Sequence, residues 1–294
     1  MKHTFAQFLI AAPASGSGKT TISIGMMAAL VRRGRVVQPF KCGSDYIDTK
    51  YHGMACHRSS YNLDLFMATD SHVKAIYSEA SRGADICVVE GMMGLFDGFQ
   101  RQQGSAAYVA ATLHLPVILV VDASHTGYSV APLLQGLARF DADVHVKGVI
   151  FNKVGSPRHS LMLREAAEDA GLVCLGCVPR QRQVEASSRY LGLDFSRTTD
   201  MDEMADLVEQ HVDIDRLLLL TSSERPQETI DHHTDRPLSD CHIVVARNDD
   251  SFSFVYQHHI DLLQRLGRAT FFNPSRYRRT PPYSICREAI PNSI

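Results

Sequence analysis

A chain of 294 residues, 45% hydrophobic and 21% charged, holds enough apolar side chains for one or two packed cores, which excludes a disordered or collagen-like protein. Thirty basic against 32 acidic residues leave a net charge of −2, so no global field draws the chain to nucleic acid or an anionic membrane. No apolar run reaches the about 18 residues of a membrane span, the N-terminus lacks a signal-peptide core, and seven scattered cysteines read as reduced thiols, so the chain is expected in the cytoplasm.

In chain order, the first 220 residues alternate short apolar runs with helical patterns. The runs fall at 8–12, 36–40, 85–90, 116–122, 146–152 and 173–178. They are rich in Val, Ile and Leu and do not alternate with polar residues, as strands buried on both faces should not. Helices are expected at about 19–33, 70–82, 104–113, 127–140, 158–170 and 201–213, with Gly34 and Gly171 at C-terminal caps. The fold class predicted is α/β: a doubly wound, mostly parallel sheet of P-loop NTPase topology.

Residues 221–240 turn polar and include two prolines, which reads as a linker. A second α/β unit opens at 241, with a strand over 242–246, a helix over 256–266 ended by Gly267, and a strand over 269–272. It is expected to be incomplete, because about fifty residues are too few to bury a core unaided. Segments 243–246 and 262–272 should then expose apolar surface. Residues 273–294 carry four arginines and one glutamate, with no apolar periodicity, and are expected to form a disordered tail.

Between the first strand and the first helix lies Ala12-Pro13-Ala14-Ser15-Gly16-Ser17-Gly18-Lys19-Thr20-Thr21. Small residues there let backbone N–H groups close around phosphates, and the helix N-terminus adds a favourable dipole. Lys19 is placed to reach the β and γ phosphates, and the Thr20 hydroxyl to ligate Mg²⁺. Pro13 stands where the usual pattern has its first glycine, while Gly16, Gly18, Lys19 and Thr20 keep the groups that touch nucleotide.

Phe40-Lys41-Cys42-Gly43-Ser44-Asp45-Tyr46-Ile47-Asp48 stands at the C-terminal end of the second strand, and ligands of doubly wound folds sit outside the carboxyl ends of the strands. Asp45 is a candidate magnesium or substrate contact, or a turn former or helix cap. Val88-Val89-Glu90-Gly91-Met92-Met93-Gly94-Leu95-Phe96-Asp97-Gly98 ends a buried strand in an acid, so Glu90 is a candidate to hold Mg²⁺ directly or through water. Asp97 sits among its glycines. Asn152, at the end of the fifth strand, can read a purine edge with its amide. Cys174 and Cys177 have the spacing of a metal or redox pair, but without a second pair they are expected to be core residues. His232-His233 and His258-His259 are expected to be solvated.

These motifs predict a Mg²⁺-dependent enzyme of a nucleoside triphosphate. By themselves they leave open whether it drives a switch or transfers a phosphoryl group. The variant loop, FKCGSDYID and VEGMMGLFDG resemble the corrin a,c-diamide synthase family of vitamin B12 biosynthesis, which is grouped with dethiobiotin synthetase and the MinD-type ATPases. The resemblance covers 5–220 through all its motifs and 241–272 weakly. It implies an amidoligase domain over 1–220 that uses ATP and Mg²⁺ to phosphorylate the a and c carboxylates of cobyrinate or hydrogenobyrinate, with ammonia displacing the phosphate.

By that resemblance Lys41 faces the γ-phosphate and the attacking carboxylate. Asp45 and Glu90 become magnesium-site residues, while Tyr46, Asp48 and Asp97 contact substrate or steer the acyl phosphate. Asn152 becomes the adenine reader, with Pro179 and the loop after Val178 on another side of the base. It also implies a C-terminal glutaminase unit supplying ammonia from glutamine, of which 241–272 is the opening strand and helix. The tail is then expected to be an out-of-frame or early-ended reading of a longer gene, and the chain to use free ammonia rather than glutamine; resequencing the locus tests this. The rival reading is a MinD/ParA-like ATPase switch binding a partner or surface, although Ala14 stands where such proteins carry an extra lysine and the basic tail lacks helical periodicity. Cobalt in the corrin, the order of the two amidations, the corrin site and the oligomeric state are left open.

Overall fold

All six apolar runs of the first 220 residues become strands, and every pairing in their sheet is parallel. The computed structural model describes residues 5–180, 199–225, 238–248 and 254–274. The strands are β1 (Ala6–Ala11), β2 (Val37–Cys42), β3 (Tyr61–Leu63), β4 (Ile86–Glu90), β5 (Val117–Asp122), β6 (Val146–Val154) and β7 (Val173–Pro179). Their order is β3-β2-β4-β1-β5-β6-β7, so β1 lies centrally with the chain winding out to either side of it. β1 is buried along its whole length, as a strand covered on both faces must be.

Successive β1 side chains feed two cores. Leu9 and Ala11 join a core with Val73 and Tyr77 of α3 (Asp70–Ala80), Val109 of α4 (Ala106–Leu113), Leu134 of α5 (Val130–Arg139) and Leu163 of α6 (Pro157–Asp169). Phe8 and Ile10 join the other, with Ile22 of α1 (Lys19–Arg32), Tyr51 of α2 (Asp48–Cys56), Val208 of α7 (Thr199–His211) and Leu217 of α8 (Ile214–Leu220). A Cβ at Gly25 of α1 would lie 2.4 Å from the Met204 carbonyl, so only glycine lets α7 cross this closely. Gly34 and Gly171 take φ of 73° and 75° just past α1 and α6, the left-handed ends expected of them.

Three elements were not expected. α2 has little apolar periodicity in DTKYHGMAC, β3 is three residues long, and α8 follows the expected 201–213 helix after a break in which the Asp213 carboxylate caps the Arg216 N–H. The polar segment 221–240 is narrower than its composition suggests. Thr221 is buried, its carbonyl accepts from Gln7 N–H and Ser223 N–H donates to the Phe5 carbonyl, while Leu238–Asp240 already belong to a strand. Residues 226–237, with His232-His233, lie outside the described residues, as do 181–198 and 275–294, the bulk of the expected tail.

The chain divides into compact units at 1–232 and 233–294. In the second, β8 (Leu238–Ala246) and β9 (Gly267–Phe272) pair in parallel, joined through α9 (Gln257–Leu266). Val244 and Leu262 are exposed there. Among the described residues no helix is long and apolar enough to cross a membrane.

Candidate active site

The loop between β1 and α1 turns through Gly16 and Gly18, at φ of 79° and 89°. A Cβ at Gly18 would meet Asn152 Nδ2 at 2.2 Å, so this position needs glycine for both its backbone and the space beside it. Ser17 Oγ donates to the Ala14 carbonyl at 2.8 Å. From β6, Asn152 Nδ2 donates to the Ser17 carbonyl at 3.0 Å, and Lys153 Nζ donates to the Gly16 carbonyl at 3.2 Å and to Asp122 at 2.8 Å. These bonds shape the loop from the protein side. Its lysine and threonine face the other way. Lys19 Nζ donates to the Met93 carbonyl at 2.6 Å, and Thr20 Oγ1 donates to Glu90 at 2.7 Å. Burial lowers the Lys19 pKa, with the Glu90 charge opposing.

Sheet register does the next step. Lys41 on β2 pairs with Glu90 on β4, which brings two charges to one level of the sheet. Lys41 Nζ lies 2.9 Å from Glu90 and 2.5 Å from Asp48, with the Lys41 and Glu90 side chains 4% and 0% exposed. Burial alone would lower Lys41, but the Glu90 and Asp48 carboxylates hold it above the usual lysine range. Burial would likewise raise Glu90, yet Lys41, His52 and Thr20 hold it well below the usual carboxylate range. Asp48 is pushed up to about 6 by burial and by the Glu90 charge, against Lys41.

Asp45 turns its carboxylate onto the Ile47 and Asp48 N–H groups at 2.8 and 2.9 Å, so the turn-forming role left open for it is realised at the start of α2. Asp97 accepts from Gly94 N–H at 2.9 Å and shapes the loop after β4. A cavity of about 470 Å³ gathers these groups at the carboxyl end of the sheet. Ser15, Gly16, Gly18, Lys19, Thr20, Thr21, Lys41, Asp45, Asp48, Glu90, Asn152 and Pro179 all line it. Ser17, Tyr46 and Asp97 do not: Ser17 is turned inward on Ala14, and Asp97 is engaged by its own loop.

Two supporting side chains escaped sequence reasoning. His52 is buried, with Nε2 2.7 Å from Glu90 Oε2 and Nδ1 3.2 Å from Ser60 Oγ. It lies four residues after Asp48 on α2, one turn along the same face, a spacing that becomes readable only once α2 is known to be a helix. Asn62 on β3 donates to the Gly43 and Asp45 carbonyls at 2.9 and 2.8 Å and fixes the turn that carries Asp45. Gly91, Met92, Met93, Lys153 and Leu207 complete the lining.

Residues 8–193 match the CobQ/CobB/MinD/ParA nucleotide binding domain family. Hydrogenobyrinate a,c-diamide synthase of Brucella ovis is 41% identical over 275 residues, covering 91% of this chain and 63% of that protein. Cobyrinate a,c-diamide synthase of Gloeobacter violaceus is 42% identical over 268 residues, covering 88% and 59%. The hydrogenobyrinate enzyme of Mycobacterium bovis is 40% identical over 275 residues, covering 88% and 60%. The chain therefore spans about three fifths of the length of the curated relatives it matches. Among solved structures, the signal recognition particle 54 kDa protein of Aeropyrum pernix K1 in complex with GDP superposes with a TM-score of 0.45 at 22% identity, covering 71% of this chain and 50% of that one.

Proposed function

This chain belongs to the CobQ/CobB/MinD/ParA nucleotide-binding family, and we propose that it is the ligase part of a corrin a,c-diamide synthase. The reaction is ATP-dependent conversion of the a and c carboxylates of cobyrinate or hydrogenobyrinate to carboxamides, through an acyl phosphate that ammonia opens. The observation that carries this reading is the buried Lys41, held between Asp48 and Glu90 in the same cavity as the phosphate loop. Nucleotide hydrolases also use a second cation, but there it faces the phosphates alone. Lys41 instead sits on β2, on the Asp48 side of the cavity, where an anionic acceptor that must approach an anionic phosphoryl group would need a cation.

The donor set suits Mg²⁺: Thr20 and Glu90 meet through hard oxygens at 2.7 Å, and Asp45 lines the same cavity. When bound, the ion neutralises charge on the terminal phosphates. The chain's own residues do the rest. The backbone of 15–18 and Lys19 bind the phosphates, Lys19 having two further N–H donors beside the one given to the Met93 carbonyl. Lys41 orients the incoming carboxylate and offsets charge on the transferring group, so catalysis is mainly placement and electrostatics. Asp48 fixes Lys41 on the substrate side. Asn152 and Pro179 flank the adenine. Ammonia then attacks the acyl carbon and phosphate leaves.

Product mass from cobyrinate or hydrogenobyrinate, ATP, Mg²⁺ and ammonium is the test. Two carboxylate-to-carboxamide changes, dependent on ATP, are expected. Phosphate release that ignores the corrin and rises with an added surface would favour the ATPase switch.

A further inference from the structure

We propose that Cys174 and Cys177 form a reversible dithiol/disulfide pair on the edge strand of the sheet, open to small-molecule disulfides. Two residues three apart on a regular strand point to opposite faces, because side chains alternate. Here they do not. Cys174 pairs with Val149, Gly176 with Ile150 and Cys177 with Phe151, so Leu175 is an extra residue that the register shift absorbs. Cys174 and Cys177 consequently both pack against the α6 side of the sheet, whereas Leu175 and Val178 belong to the opposite core. Their partners on β6 are two residues apart, which sets the cysteine Cα atoms about 6.6 Å apart, inside the about 4.4–6.8 Å that a disulfide spans.

Both thiols are free and partly exposed, unlike the buried Cys42, Cys56 and Cys87. The sequence expectation of core residues is met in part: both pack against the core on the α6 side, and each keeps some solvent access. Cys177 Sγ also lies 4.0 Å from the Ser160 carbonyl near the start of α6. The Cys174 thiol beside it holds the Cys177 thiol down, to about 6, with Ser160, Arg164 and His159 assisting against burial. The neighbouring Cys177, then burial, pushes Cys174 up, and Cys174 Sγ donates to the Gly176 carbonyl at 3.7 Å. In this scheme Cys177 is the attacking thiolate and Cys174 the resolving thiol.

The chemistry closes without a metal. Cys177 thiolate attacks one sulfur of a low-molecular-weight disulfide and expels one thiolate, which takes the Cys174 proton. Cys174 then attacks Cys177 Sγ and expels the second thiolate. Two protein thiols are oxidised, one small disulfide is reduced to two small thiols, and two electrons change hands.

The test equilibrates the full chain in glutathione mixtures from reduced to oxidised, quenches by alkylation and weighs the peptide carrying both cysteines. A species lighter by two hydrogens is expected to accumulate, to revert with dithiothreitol, and to be replaced by a glutathione adduct on Cys177 in Cys174→Ser. On the reduced wild-type chain, Cys177 should alkylate about tenfold faster than Cys42. Both thiols remaining alkylatable in fully oxidised glutathione would overturn the proposal, as would equal alkylation rates for Cys177 and Cys42.

Discussion

Two lysine–carboxylate pairs flank the same phosphate loop, and they are built to different ends. On one side Lys41 and Glu90 sit across β2 and β4 with side chains 4% and 0% exposed. On the other, Lys153 and Asp122 sit across β6 and β5 with side chains 26% and 30% exposed. The first pair is further tied to Asp48, His52 and Thr20; the second reaches only the loop backbone and Ser124. Pairing chemistry is the same, so the difference lies in solvent. A buried pair cannot be replaced by water when one partner is lost, and an exposed one can. The β2/β4 side therefore fixes charge where phosphoryl transfer is proposed to occur, and the β5/β6 side shapes a rim.

The largest effect that would sharpen this contrast is Lys41→Met. It leaves Glu90 buried without its cation, which should destabilise the fold by about 3–5 kcal/mol, and kcat should fall by about 10²–10³-fold. Denaturant unfolding and single-turnover amide formation read the two effects separately. A variant as stable as wild type would erase the distinction between the two sides. His52→Ala comes next, because it removes one of the three hydrogen bonds that orient Glu90. A loss of about 1–3 kcal/mol is expected from the unsatisfied carboxylate oxygen, with Mg²⁺ dependence of turnover shifted about 10-fold or more to higher concentration. Unchanged Mg²⁺ dependence alongside lost stability would reduce His52 to a core residue.

Acid–base behaviour offers a third test on the buried side. Asp48 is raised to about 6, above its unfolded value of about 3.9. Its contribution to stability is therefore complete below pH about 4 and lost as pH rises through about 6. Asp48→Asn lacks this loss, so its stability relative to wild type should climb between about pH 4 and 7. Thermal melts across that range check it, and a constant difference would mean that Asp48 ionises like an exposed carboxylate.

The two sides also differ in how far the sequence exposes them. Gly16, Gly18, Lys19, Thr20 and Glu90 are legible because a strand, a turn and a helix start each leave a local pattern, and the parallel sheet follows from unalternating Val, Ile and Leu runs. Lys41 opposite Glu90 is a matter of register between strands 49 residues apart, which no local pattern states. His52 hides because α2 is too polar to announce itself as a helix. Asp45 shows the reverse limit: its residue type fits a turn former or cap as well as a metal ligand, and its hydrogen bonds to Ile47 and Asp48 realise the first. Cys174 and Cys177 share a face only through a bulge, which composition cannot signal.

On the exposed side the effects should shrink. Asn152→Ala removes the bond to the Ser17 carbonyl, worth about 1 kcal/mol, so nucleotide affinity should fall about fivefold with kcat little changed. Isothermal titration with a non-hydrolysable ATP analogue reads this, and a loss as large as that of Lys41→Met would mean that the rim organises catalysis too.

Lys153→Met should be the mildest. Its ion pair with Asp122 is a third exposed, so less than about 1 kcal/mol of stability is at stake. Asp122 is held below the usual carboxylate range, where burial opposes and the Lys153 and Ser124 hydrogen bonds prevail. Without Lys153 the two Ser124 bonds to Oδ1 remain, and the partly exposed Oδ2 can turn to water instead. Whatever difference remains between variant and wild type at low salt should fade as ionic strength rises, because screening acts on exposed charges and spares buried ones. The same salt series on Lys41→Met should leave its deficit in place. If the two variants respond to salt alike, burial is not what separates the two sides of the loop.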